Sequence, residues 1–186
     1  VFTLNVNVNG CCSLTFNGAG SINLHNELGL VTPLSSVTGS TALTLSGTTI
    51  QTSGAQTYGS PITLAANSEF ISTAGSVTFN TTIDGAFDLL INSAINTNIN
   101  NTIGATTPVA TSDVTSGTLT TLNTSLIRST GNQTYTGPNA LGTSVTLNGT
   151  TGGSINISGN IAGAGNALTV NDTGVGGFLD VVLSNL

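Results

Sequence analysis

Few side chains in this chain can do chemistry. Seven carboxylates, one histidine, one arginine, two cysteines and two tyrosines stand among 186 residues, and there is no lysine. General acid–base catalysis needs paired carboxylates or a basic group gathered at one cleft. Glu27, Glu69, Asp84, Asp88, Asp113, Asp172 and Asp180 are scattered, and they read as a solvated rim or as turns. Arg128 is the single cationic side chain, so a lyase base is all but absent, and the expectation is that the chain is not an enzyme. Cys11 and Cys12 are adjacent; on a strand, neighbours point to opposite faces, which puts one in the core and the other outside. A disulfide between them would be strained against ordinary geometry. His25 has no partner ligands at zinc spacing, and Gly174–Asp180 lacks the glycine-aspartate order of a calcium turn, so no metal or cofactor is expected. A formal charge of −6 disfavours nucleic acid, whose phosphates would repel it. Seven Asn-x-Ser/Thr triplets begin at Asn80, Asn100, Asn123, Asn132, Asn148, Asn156 and Asn171; a chain so rich in Asn, Thr and Ser generates most of them by chance.

The tyrosines carry more information, because they repeat. Gln56-Thr57-Tyr58 returns as Gln133-Thr134-Tyr135 at a spacing of 135 − 58 = 77, and Ile50 falls on Ile127, Val77 on Ile155, Phe79 on Ile157 and Ile83 on Ile161. Val8–Asn17 aligns without gaps on Ile83–Asn92 at a spacing of 75, with Gly29 on Gly104 and Pro33 on Pro108. A third, partial copy begins at Ile161-Ala162-Gly163 and continues through Leu168–Asn171. The chain divides into a partial repeat at 1–29, a repeat at about 30–104, and another at about 105–171 with a continuation to 186. Self-similarity at a long fixed period signals a solenoid, propeller or array. The two motifs are expected at equivalent corners of the solenoid. Gln56, Tyr58, Gln133 and Tyr135 then act as packing residues, or alternatively as a surface platform on which sugars stack.

Composition selects the architecture. The exposed faces of helices need Ala, Glu, Lys and Leu, and this chain instead pairs Val, Ile and Leu with Gly, Ser, Thr and Asn. Short runs such as Ser76–Asn80 and Ser144–Asn148 alternate apolar and polar residues at period two, bracketed by Gly, Asn or Pro. The fold is expected to be all-β, a parallel β-helix of about four coils per repeat and roughly 19 residues per coil. An antiparallel β-sandwich is the alternative. The shortage of charge fits a parallel stack, where equivalent residues lie about 4.8 Å apart and like charges repel while Thr, Ser and Asn form ladders. The predicted core comprises Leu45, Ile62, Leu64, Val77, Phe79, Ile91, Val145, Leu147, Ile155, Ile157 and Val170.

Val1–Asn9 has no signal-peptide layout and reads as mature or excised, and no window approaches the 18 or so apolar residues of a membrane span. Both ends look unprotected as strand edges. Val1, Phe2 and Leu4 at one end and Phe178, Leu179, Val181, Val182 and Leu183 at the other are expected to continue into further repeats or to stack head to tail on another copy.

The pattern Gly-x-Gln-Thr-Tyr, then Gly-Ser-(Val/Ile)-x-(Phe/Ile), then Leu-x-(Ile/Val)-Asn, carried by Gly54–Asn92 and Gly131–Asn171, resembles the repeats of large bacterial surface proteins of the filamentous-haemagglutinin and autotransporter-adhesin type. The resemblance implies a right-handed parallel β-helix exported to the bacterial surface, extracellular, with adhesive, biofilm or filament-forming roles and host or matrix glycans as possible partners. The chain contains no recognisable export signal, secretion domain or binding module. A ligand-binding solenoid is the alternative; an ice-binding one needs a flat Thr-x-Thr array, and only Thr118–Thr120 and Thr134–Thr136 fit.

Overall fold

The computed structural model describes residues 1–172 and 181–184. Among them there is no helix, and every strand pairing is parallel. The antiparallel sandwich is therefore excluded. The strands stack as three faces that the chain visits in turn. Face A begins at Phe2–Leu4 and Ser21–Leu24 and, across a single bridging residue at Ile103, continues to Leu126–Ser129, Val145–Gly149 and Leu168–Asp172. Face B starts from bridges at Val8 and Leu28 and runs from Thr49–Thr52 to Val181–Ser184. Face C holds eight strands, from Ser13–Phe16 to Ile161–Ala162. The result is a β-solenoid.

Alternation builds the interior. In Val77–Phe79 and Ile62–Leu64 the apolar residues are buried and the threonine between them faces out, as a pleated strand covered on one side requires. Ten of the eleven core residues named above are buried. Val170 is only half-buried; among the described residues its strand, Leu168–Asp172, pairs on one side alone. Tyr58, Phe70 and Phe79 form an interior trio with ring centroids 5.0–5.2 Å apart, two contacts edge-on and one stacked. Such geometry adds about 0.5–1.5 kcal/mol per pair beyond burial.

The coil length differs from expectation. From Leu43 to Ile62 the step is 62 − 43 = 19 residues, from Ile22 to Leu43 it is 21, and from Ile103 to Ile127 it is 24. A 77-residue repeat therefore does not hold four whole coils. Between Gln56 and Gln133 the chain steps inward at Ile62, Phe70, Val77, Ile83, Ile91, Thr97, Ile103, Val114, Thr120, Ile127 and then Gln133, which is 11 face positions, or 3 × 3 + 2. Each copy thus begins one third of a turn behind the last: Val8 on face B, Ile83 on face A, Ile161 on face C. The average step, 77/11 = 7 residues per face, is what the sequence actually repeats. Three nearly equivalent faces let a copy be shifted by a third of a turn without losing its packing.

Candidate functional site

That shift overturns the expectation of equivalent tyrosine corners. Tyr58 closes the strand Gln56–Tyr58 on face C and Tyr135 lies within Gln133–Thr136 on face B, and both rings point inward and are fully buried. Their hydrogen-bond partners nevertheless correspond. Gln56 Nε2 lies 2.8 Å from Ile71 O, 3.0 Å from Ile50 O and 3.2 Å from Thr52 Oγ1, while the Tyr58 hydroxyl donates to Gln56 Oε1 at 2.8 Å. Gln133 Nε2 lies 3.0 Å from Asn148 O, 3.3 Å from Ile127 O and 3.1 Å from Ser129 Oγ, and the Tyr135 hydroxyl donates to Gln133 Oε1 at 3.0 Å. Thr52 and Ser129 in turn donate to the carbonyls of Gly54 and Gly131, both at 2.6 Å. Each glutamine therefore ties the corner of its own coil to the coil above and gives a buried phenol its acceptor. Desolvation pushes both tyrosine pKa values well above the ordinary value. These are interior clasps with no open face for a sugar.

The clasp has a simpler form that the sequence reading missed. Ser93 and Thr97 hydroxyls lie 2.9 Å apart, Thr120 donates to Ser116 at 2.8 Å, and Ser116 donates to Thr97 at 2.8 Å, all buried. The shared signal is a Ser or Thr followed four residues later by Gln or Thr, the two flanking a corner. Buried polar groups must find partners, and this spacing lets the corner supply them.

The ionisable residues are less scattered than their sequence positions suggest. On face B, Thr49 stands beside Glu69, Glu69 beside Leu90 and Leu90 beside Asp113. Glu27, one residue before Leu28, which pairs with Ile50, falls in the same column next to Thr49. The acids Glu27, Glu69 and Asp113 thus occupy alternate coils, about 9.6 Å apart at two strand spacings. Glu69, Asp88, Asn67, Thr111 and Asp113 line a shallow groove of about 300 Å³. Asp88 is already engaged, accepting from Asn67 Nδ2 and from Thr111 Oγ1, each at 2.8 Å. No three His, Cys, Asp or Glu side chains among the described residues stand close enough to hold a metal ion.

On face A, Asp84 accepts the backbone N–H groups of Thr106 and Thr107 at 2.8 and 3.0 Å from the coil below. Arg128, from the coil above, donates to the carbonyls of Gly104 and Ala105 at 2.8 Å and of Thr106 at 3.3 Å. The one cation of the chain is thus spent strapping a surface loop. In the preceding copy, Asn9 plays the role of Asp84, accepting from Val31 N and Thr32 N. Gly29 and Gly104 open the two loops with φ of +76° and +70°, a backbone only glycine adopts freely.

Cys11 and Cys12 are both exposed and unpaired, contrary to the expected in-out alternation. They sit on a bend before the strand Ser13–Phe16, where strand geometry does not apply. His25 is exposed at the corner after Ser21–Leu24. Of the apolar end residues, Val1 is 91% and Phe2 61% exposed, and Leu4 is half-buried. Val181, Val182 and Leu183 lie on the last described strand of face B, pairing with Ile155–Ser158. Phe178, Leu179 and Asp180 lie outside the described residues. Of the two Thr-x-Thr triplets, Thr134 and Thr136 flank inward Tyr135, but Thr120 is buried.

The threonines that form an array do so between coils. Down the middle of face C, Thr15, Thr38, Thr57, Thr78, Asn98 and Thr121 stand in register, one per coil. No charged residue occurs in any strand of that face.

Fold and side-chain geometry define the class, a parallel β-solenoid with interior polar clasps. Comparison with models of known protein families, with characterised proteins and with solved structures finds no match. No helix among the described residues is long and apolar enough to cross a membrane.

Proposed function

We propose that the chain is a structural segment of an extracellular bacterial surface fibre, built from stacked β-solenoid repeats, with an adhesive role and no catalytic one. The observation that carries this reading is where the repeat keeps its identity. Pairs related by the repeat stay apolar inside, as in Ile50/Ile127, Val77/Ile155 and Ile83/Ile161, and both Gln-Tyr clasps are interior. Several outward pairs diverge, as in Gln51/Arg128 and Asp84/Ala162, although Thr57/Thr134 is kept. Because each copy is rotated by a third of a turn, a surface feature borne by the repeat would be dealt round all three faces. A repeat of this kind serves stacking.

A second reading, a glycan- or ice-binding solenoid, draws support from the threonine column on face C. The two readings separate in one set of measurements: the intact mass of native material and surface labelling of unpermeabilised source cells, alongside thermal hysteresis and a polysaccharide panel. Surface labelling with a mass above that of this chain supports the fibre. Internal labelling alone overturns it, and hysteresis or glycan turnover moves the assignment to the ligand.

A further inference from the structure

We infer that face C is a lateral self-association surface, taking the same face of a second copy. The argument begins with the distribution of charge. Glu27, Glu69, Asp88 and Asp113 stand on or beside strands of face B, and Asp84, Arg128 and Asp172 on face A. Face C carries none over eight strands. A second copy of an acidic chain is repelled at face B and meets no fixed charge at face C.

Shape points the same way. The loops that open at Gly29 and Gly104 project beside faces B and A respectively, following bridging residues Leu28 and Ile103. Within the strands of face C, by contrast, the outward positions hold small uncharged residues in register, such as Thr38, Thr57, Thr78 and Asn98. Asn98 Nδ2 donates to Thr78 Oγ1 at 3.1 Å and, just beyond the strands, Asn100 Nδ2 to Asn80 Oδ1 at 2.8 Å, so polar side chains of two successive coils are already paired with each other. Uncharged sheet faces of small Thr and Asn side chains in register are the kind that stack on one another at about 10 Å.

Size decides the strength. Eight strands at about 4.8 Å, each some 12 Å wide, give a contact on the order of 450 Å² per copy. A stable complex buries about 800 Å² per partner. One 186-residue chain should therefore pair weakly and reversibly. Copies joined end to end would add such contacts along the axis, and the avidity rises steeply with length. This inference needs only the fold and does not depend on the fibre reading.

The test is sedimentation velocity of the whole chain across a wide concentration range. The parent is compared with Thr38→Asp/Thr78→Asp on face C and with Thr3→Asp/Thr44→Asp on face A. Both pairs add the same charge on alternate coils, the spacing that Glu69 and Asp113 already tolerate, so equal melting curves establish equal folding. The expected result is concentration-dependent dimerisation in the parent, retained in the face A variant and weakened roughly tenfold or more in the face C variant, since like charges brought face to face disfavour association. A parent that stays monomeric throughout, or a face C variant that associates like the face A variant, overturns the inference. So does thermal hysteresis by a strictly monomeric parent, which would assign the face to ice.

Discussion

Replacing Gln56 by Leu preserves its approximate bulk and deletes its hydrogen bonds. The Tyr58 hydroxyl, fully buried and donating only to Gln56 Oε1 at 2.8 Å among its hydrogen bonds, is left without that acceptor. A buried polar group stripped of its partner costs about 1–3 kcal/mol, so Q56L should destabilise by roughly 2 kcal/mol or more once the Nε2 contacts are included. Tyr58→Phe alone strands Gln56 Oε1 and should cost about 1–3 kcal/mol for the same reason. In the double variant neither group remains to be stranded, and the Nε2 loss is common to Q56L and the double, so it cancels. The cycle should therefore show a coupling of about 1–2 kcal/mol, the double costing less than the sum. Urea denaturation followed by circular dichroism at unchanged slope reads it. The same cycle at Gln133 and Tyr135 should return the same coupling, although that clasp lies on face B. Additive costs at both sites would refute the clasp. Coupling at one site and not at the other would refute the claim that the clasp is portable between faces.

Phe79→Asp removes one ring of the interior trio and buries an unpaired carboxylate; it should destabilise by more than about 4 kcal/mol, and a variant melting like the parent would contradict the interior position. Gly104→Ala puts a Cβ against the Arg128 carbonyl at a φ of +70°, and should cost more than about 1 kcal/mol. Arg128→Ala releases the three carbonyls of the loop, costs about 1 kcal/mol, and should speed proteolytic nicking at residues 104–107 with little change in melting. The only two tyrosines are held neutral by burial, so their folded pKa exceeds the unfolded one. The stability this confers is intact below about pH 10 and falls as pH rises beyond it, since the unfolded chain then releases protons the folded one keeps. Ultraviolet titration should show no phenolate until alkaline unfolding begins, and a smooth titration near the ordinary value would contradict the burial.

Much of this was legible in the residues. Alternation in Ser76–Asn80 and Ser144–Asn148, the repeat and the lack of charge lead to a parallel solenoid and to its core. The phase of the repeat was not legible, because a 77-residue period divides about equally well into four coils of 19 or eleven faces of seven; the pairings of Leu43 with Ile62, 62 − 43 = 19 residues on, and of Ile103 with Ile127, 127 − 103 = 24 residues on, show the coils to be unequal. For the same reason Tyr58 and Tyr135 could not be assigned to faces. The acid column of Glu27, Glu69 and Asp113 stayed hidden because intervals of 42 and 44 residues signify nothing until a two-coil spacing is known. The in-out expectation for Cys11 and Cys12 fails because the strand begins only at Ser13, after the bend that holds both cysteines. The four-residue corner spacing was present in the text of the sequence, but Ser and Thr are too common here for it to stand out.

The central claim, a fibre whose long axis is the solenoid axis, is tested most directly by diffraction from oriented native material. Strands perpendicular to the fibre axis place the roughly 4.8 Å strand spacing on the meridian, and the account predicts that reflection from elongated filaments. Compact particles of this chain's own mass, 18.4 kDa, with no oriented reflection, would contradict it.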